Sequence, residues 1–295
     1  MITLIKTTII ASLILMSGLI GLAQFNSGQD HLMKASLTRI HSNHDATAQT
    51  NVGMASLKMD KSNQPSSDNT ISGREILEKV DANMTSENRV VVSKMIVHGR
   101  RADRTIGSKT WSVGEEKAFT EYLYPEREQG TKMLKLEDKL WIYSPSTDRI
   151  IQIAGHMLRQ SVMGSDMSYE DMMEDPKLTD KYNAAIAGSE MVNNRDCWVL
   201  DLTATTEDVN YFRRKIWIDK ARYIPLKEDL FAKSGKLLKR TSLSNVSNID
   251  GRWFPMKIVF KDMLKKGEGT EFIIEEIRFN VDIPDYLMTK ASLKK

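Results

Sequence analysis

Residues 117–153 read KAFTEYLYPEREQGTKMLKLEDKLWIYSPSTDRIIQI. The runs 117–124, 132–136, 140–143 and 149–153 carry apolar side chains in the period-two pattern of strands, which sends successive side chains to opposite faces. Between them lie Pro125, Gly130, Glu137-Asp138 and Pro145-Ser146, spacers of turn chemistry too short to hold a helix. Strands joined this tightly pair antiparallel. Upstream, 90–97 is strand-like, and 105–113 pairs with 117–124 around Gly114. Downstream the rhythm resumes in 197–203, 211–218, 224–231, 237–246, 252–260 and 271–281. Within the last, Phe272 and Ile274 share one phase and Ile277, Phe279 and Val281 the other, a slip that predicts a bulge. About a dozen short strands predict a mainly β (α+β) chain folded as a curved sheet or half-open antiparallel β-barrel.

Two segments break the rhythm. Ser72-Gly73-Arg74-Glu75 has capping-box spacing, and Ile76, Leu77, Val80 and Met84 then fall on one helical face. An N-terminal helix therefore opens the domain and needs a sheet to lie against. Residues 154–176, AGHMLRQSVMGSDMSYEDMMEDP, hold five methionines in 23 residues. Unbranched and polarizable, methionine fills irregular space and suits surfaces that accept variable apolar partners. Ser168 and Asp171 frame a short helix carrying Met172 and Met173, which Pro176 ends, so the segment reads as a helical, Met-rich lid or, more blandly, as a connection whose methionines are ordinary core.

The N-terminus has the outline of an export leader: Lys6, then 17 uncharged residues from Thr7 to Ala23, with Gly21 and Ala23 as small side chains before a cut. The alternative is a retained anchor helix. Residues 24–70 are dominated by Ser, Asn, Gln, Thr, Asp, Ala and Lys and carry a single aromatic, Phe25. Such a composition cannot offset its ordering entropy, so a flexible tether is expected there. The division is therefore leader 1–23, tether 24–70 and binding domain 71–295, with a periplasmic location.

Of the charged residues 42 are basic and 39 acidic; without Lys6 the balance is 41 to 39. No nucleic-acid partner is expected of so even a charge. The lone Cys197 sits in a strand-like run and reads as a small buried hydrophobe. Enzyme signals are absent. The five histidines are scattered, no H-E-x-x-H or Cys/His cluster occurs, and the G-x-S-x-G, P-loop and G-x-G-x-x-G patterns are missing. Asp166, Glu170, Asp171, Glu174 and Asp175 form an acidic cluster that reads as helix-N-terminal and solvated carboxylates rather than a calcium site. No cofactor, metal or catalytic residue is expected.

One resemblance spans roughly residues 71–281. Pro125 to Thr131 has the form P-x-x-x-x-G-T, Trp141 to Pro145 the form W-x-Y-x-P, and Met163 to Asp171 reads M-G-S-D-M-S-Y-E-D. In this order, with Trp217-Ile218-Asp219 and Ile224-Pro225-Leu226-Lys227 downstream, they resemble the LolA-like outer-membrane lipoprotein-sorting family. The resemblance implies a half-open barrel around an apolar cavity closed by a lid, and non-enzymatic periplasmic work on lipoprotein acyl chains or lipids, with an inner-membrane transporter complex and an outer-membrane acceptor as partners. The residues expected to line the path are Trp111, Tyr122, Trp141, Tyr143, Met157, Leu158, Met163, Met167, Tyr169 and Met172; the alternative for each is plain core packing, which is the favoured reading for Trp111, Trp141 and Tyr143 taken singly. The chain departs from the family's carrier in its longer tether and larger domain. The carrier's lid-anchoring arginine has no assignable counterpart, Arg159 being a candidate by location alone. The rival reading is an envelope sensor or transporter-associated interaction module on the same barrel.

Overall fold

The computed structural model describes residues 71–174 and 177–295. The expected leader and tether, and the helix-ending Pro176, lie outside the described residues. The helix α1 (Gly73–Met84) opens with the anticipated capping box: Ser72 Oγ accepts from Glu75 N at 3.2 Å while Glu75 Oε2 accepts from Ser72 N at 2.7 Å. Its Ile76, Leu77 and Val80 are buried, each stabilising by about 1.5–3 kcal/mol. Gly73 is required where the helix meets the sheet, because an added Cβ would stand 2.7 Å from the Ala184 carbonyl oxygen.

Thirteen strands follow: β1 (Asn88–Val97), β2 (Arg104–Val113), β3 (Lys117–Tyr124), β4 (Lys132–Leu136), β5 (Lys139–Ser144), β6 (Arg149–Ile153), β7 (Tyr182–Val192), β8 (Arg195–Ala204), β9 (Arg213–Asp219), β10 (Pro225–Phe231), β11 (Leu237–Ile249), β12 (Arg252–Asp262) and β13 (Thr270–Phe279). They form one antiparallel sheet in the order β6-β5-β4-β3-β2-β1-β13-β12-β11-β10-β9-β8-β7. The sheet is curved and unclosed, with β6 and β7 as its free edges. The first and last strands pair at its centre, so a six-strand meander, β1 to β6, and a seven-strand one, β7 to β13, are joined by β1 and β13.

The phase slip in β13 is a bulge. Val92 pairs with Glu276 but its neighbour Ser93 pairs with Ile274, leaving Glu275 as the extra residue. Because of it, Ile274, Ile277 and Phe279 all bury on the same face. Gly114, at φ +55°, makes the β2–β3 turn. Sequence reading missed β7, which is exposed along almost its whole length and so shows no alternation.

Each face carries its own cover. On the inner face α1 packs over Leu200, Leu202, Ile216 and Ile218, and the Met-rich segment packs over Met95, Ile106, Tyr122 and Met133. On the outer face Cys197, Val199, Trp217 and Leu226 form one cluster. Phe119, Leu134 and Trp141 form another, capped by the C-terminal segment through the fully buried Leu293. Burial pushes the Cys197 thiol up to about 11, as suits a packing residue.

Candidate functional site

Between α1 and the Met-rich segment the inner face keeps a cavity of about 310 Å³, at the small end of ligand sites, which run from about 300 to 1,000 Å³. Its apolar wall comes from Phe254, Ile258, Phe260, Phe272 and Ile274 of β12 and β13, with Met84 of α1. The opposite wall, from β2 and β3, is lined by Thr110, Ser112 and Thr120. The Thr110 and Thr120 hydroxyls pair at 2.9 Å, as Ser93 and Ser108 do at 3.2 Å, and the charged Arg89, Glu115, Lys117, Lys135 and Glu174 also border the cavity. Met167 and Met172 close the cavity from the lid side.

The lid itself is 154–174. A 3₁₀ turn over Gly155–Arg159 and a second over Val162–Gly164 precede α2 (Tyr169–Met173). The sequence makes α2 start at Ser168, whose hydroxyl caps Asp171 N at 3.2 Å while Asp171 Oδ2 accepts from Ser168 N at 2.6 Å. Met157, Met163, Met167, Met172 and Met173 are partly buried on the sheet. Polar ties then fix the lid to the strands. Arg104 donates to the Met163 carbonyl at 2.6 Å, Lys265 to the Ser165 carbonyl at 2.9 Å, and Asp166 accepts from Asp262 N and Thr270 Oγ1, each at 3.0 Å. Farther along, Lys239 and the Tyr211 hydroxyl both contact the Asp171 carboxylate, and Arg214 contacts Glu174. At the lid's exit Asp81 of α1 accepts from Leu178 N at 3.1 Å and Thr179 N at 3.0 Å.

The last ties are electrostatically loaded. Arg214 is buried, lies 4.9 Å over the Tyr182 ring, and leaves its Nε without a hydrogen-bond partner. Burial pushes the Glu174 carboxyl up to about 7 against the pull of Arg214. Burial pushes Asp171 the same way, but Lys239, Tyr211 and Ser168 outweigh it and hold that carboxyl below its ordinary range. The lid is thus held by methionine packing and by charges that have given up water. Burying an ion pair recovers little net stability, while removing one partner costs much.

The comparisons place this architecture. A family model whose description reads only "Uncharacterized protein" matches residues 114–295, more than half the chain. No curated protein matches in sequence. A solved structure of a LolA superfamily protein from Nitrosomonas europaea is 25% identical with a TM-score of 0.64, over 76% of this chain and 100% of that one. A domain described as an outer membrane lipoprotein-sorting protein from Vibrio parahaemolyticus is 24% identical, with a TM-score of 0.65 over 76% and 98% of the two chains. A DUF1329 family protein from Desulfovibrio piger is 24% identical, with a TM-score of 0.67 over 75% and 97%. The chain belongs to the family whose model matches residues 114–295, and it is LolA-like.

In this LolA-like protein the residues singled out from sequence divide between two faces. Tyr122, Met157, Leu158, Met163, Met167, Tyr169 and Met172 come together on the inner face, Tyr122 being buried with its hydroxyl 3.2 Å from Met133 Sδ. Trp111, Trp141 and Tyr143 lie on the outer face. Trp111 packs 5.8 Å from Phe119, and Trp141 lies under the C-terminal segment with Lys290 4.2 Å above its ring. Arg159 is exposed, whereas Arg104, Arg214, Lys239 and Lys265 hold the lid. Of the acidic cluster, Asp171 faces Lys239, Glu174 faces Arg214 and Asp166 accepts from Asp262 N and Thr270 Oγ1, while Asp175 lies outside the described residues; among the described residues no group of three or more acidic, His or Cys side chains could hold a metal. Glu174, read as solvated, is instead partly buried against the buried Arg214. Sequence reasoning also missed the aromatic wall of β12 and β13; its signal was the alternation of Phe254, Ile258 and Phe260 with Lys257, Val259 and Lys261, read only as a strand. Among the described residues no helix is long and apolar enough to cross a membrane.

Proposed function

We propose that this protein is a non-enzymatic periplasmic carrier that takes acyl chains of lipoproteins or lipids into the inner-face cavity and moves them toward the outer membrane. The observation that carries this reading is an apolar cavity, on the inner face of an unclosed sheet, roofed by methionines that are held by separable polar ties. Each methylene moved from water into such a site gains about 0.8 kcal/mol, so a long chain gains several kcal/mol beyond the cost of opening the lid. A closed cavity of this size accommodates part of an acyl chain, and the lid must lift to admit more. The leader-like residues 1–23 suit export, and the nearly balanced charge suits diffusion between two membranes. An inner-membrane transporter complex as donor and an outer-membrane acceptor are the partners this role requires.

The test is to express residues 24–295 in an envelope-competent host, purify without detergent, and analyse the product by native mass spectrometry with lipid extraction. Co-purified lipid or acylated protein is expected. A protein that emerges empty and ignores added lipid would remove the carrier reading in favour of a protein-only interaction module. Stable association with one membrane regulator, without cargo exchange, would indicate a sensor.

A further inference from the structure

We propose that one rim of the sheet is a docking surface for an anionic bilayer. Antiparallel pairing puts the β1–β2, β12–β13 and β10–β11 turns on the same rim, and the strand order β2-β1-β13-β12-β11-β10 makes them three consecutive hairpins. Their turns, 98–103, 263–269 and 232–236, hold Arg100, Arg101, Lys233, Lys236, Lys265 and Lys266 with Asp103 and Glu268; Lys233 is paired with Glu207 and Lys265 with Asp262, which leaves Arg100, Arg101, Lys236 and Lys266 as the band's exposed bases. On the opposite rim the turns after β2, β4 and β11 hold Glu115, Glu116, Glu137, Asp138 and Asp250, while Lys220 and Arg222 in the turn after β9 are paired with Asp196 and Asp219. The flanking turns on the basic rim carry Glu126, Glu128, Glu207 and Asp208 against Arg127 alone, so the positive band is confined to its centre.

The same place exposes apolar side chains. Met263 is 39% exposed and Leu264 61%, and Leu123 and Tyr124, at the end of β3 beside the β1–β2 hairpin, are 36% and 40% exposed. The Met263-Leu264 tip is held rigidly outward: Leu264 N donates to Asp262 Oδ1 at 2.9 Å and Lys265 N to the Asp262 carbonyl at 3.1 Å. Adjacent lysines and outward-pointing aliphatic side chains at a hairpin tip match the headgroup layer of an anionic membrane, where the bases meet phosphates and the apolar tip reaches the acyl boundary. A nucleic acid would use the bases and leave the apolar tip in water, so the pairing of the two favours lipid.

The surface stands apart from the carrier reading, but its consequence rests on that reading: Lys265 and Arg104, which hold the lid at Ser165 and Met163, belong to this rim. Phosphates that draw these bases away would loosen the lid at the membrane, where cargo is exchanged.

The experiment is co-sedimentation of the full-length exported protein with phosphatidylcholine vesicles, with and without phosphatidylglycerol. Binding is expected to require the anionic lipid and to fall with salt. Lys236→Glu with Lys266→Glu should weaken it by roughly fivefold or more per position, and Met263→Ser with Leu264→Ser by roughly tenfold. Glu116→Lys with Glu137→Lys, on the opposite rim, should not weaken it. All six positions are exposed, and an unchanged melting temperature verifies folding. Equal binding to neutral vesicles, no binding, or indifference to the basic-rim variants would each overturn the proposal. Uptake of a fluorescent fatty acid in solution, measured on the same variants, reads the carrier function separately.

Discussion

Asp171→Asn isolates the lid latch. Asn keeps the volume and one carbonyl oxygen but loses the charge that Lys239 faces, and both side chains of that pair are nearly buried, 12% exposed for Lys239 and 11% for Asp171. Removing one partner of a buried pair costs about 3–5 kcal/mol. Here Lys239 stays within 3.4 Å of Ser168 Oγ and reaches some water, so the cost falls below that range, at about 2–3 kcal/mol. The loss falls on the closed lid alone, because no strand–strand contact depends on Asp171. At about 1.4 kcal/mol per tenfold, the lid opens roughly 30- to 150-fold more often. Amide hydrogen exchange measures this directly: residues 165–173 should exchange faster by that factor while amides of β1, β12 and β13 keep their wild-type protection. Equal acceleration throughout the sheet would refute the reasoning, since the lid would then not open as a separate unit, and an unchanged lid would show that Asp171 does not latch it.

Three further outcomes follow from the same structure. Met172→Glu places a charge on the cavity wall and should abolish binding of a fluorescent fatty acid with little change in melting temperature, whereas Trp141→Ala, on the outer face, should cost about 3–5 kcal/mol in urea unfolding and leave uptake intact. Asp219 accepts from Arg195 at 2.8 and 3.0 Å and from Arg222 at 2.8 Å; burial pushes its carboxyl up, but these partners prevail and hold it at about 2. A depressed carboxylate stabilises the fold above its unfolded value and loses that contribution as pH falls through the folded one, so stability should decline between about pH 4 and pH 2, and Asp219→Asn should flatten that slope in acid titrations followed by circular dichroism. Cys197, fully buried, should resist a thiol reagent at neutral pH and react completely once the chain is unfolded in guanidinium.

The strand pattern, the capping boxes at Ser72 and Ser168, the bulge in β13 and the inward packing of the lid methionines were legible because each rests on local spacing: period two, N3 distance, a phase slip, side-chain type. The edge strand β7 was not, since a strand that buries neither face leaves no alternation to read. Nor was the face that each row of β2 would take. In β2 the sequence offers Trp111 on one face and Ser108, Thr110 and Ser112 on the other, and leaves the tryptophan open between cavity wall and core. The structure packs it with Phe119 on the outer face, where Leu293 of the C-terminal segment covers the row, and turns the hydroxyls inward.

By itself, then, the sequence determined the β-rich architecture, its opening helix and the Met-rich insert, all consequences of interactions between residues a few positions apart. Only the tertiary structure decided which face became the interior and which bases hold the lid. Arg214 and Glu174 are 40 positions apart, and Lys239 and Asp171 are 68 apart. Such pairs meet because the sheet curls and the segment 154–174 crosses its inner face. A charge read along the chain carries no record of the partner that curvature brings to it.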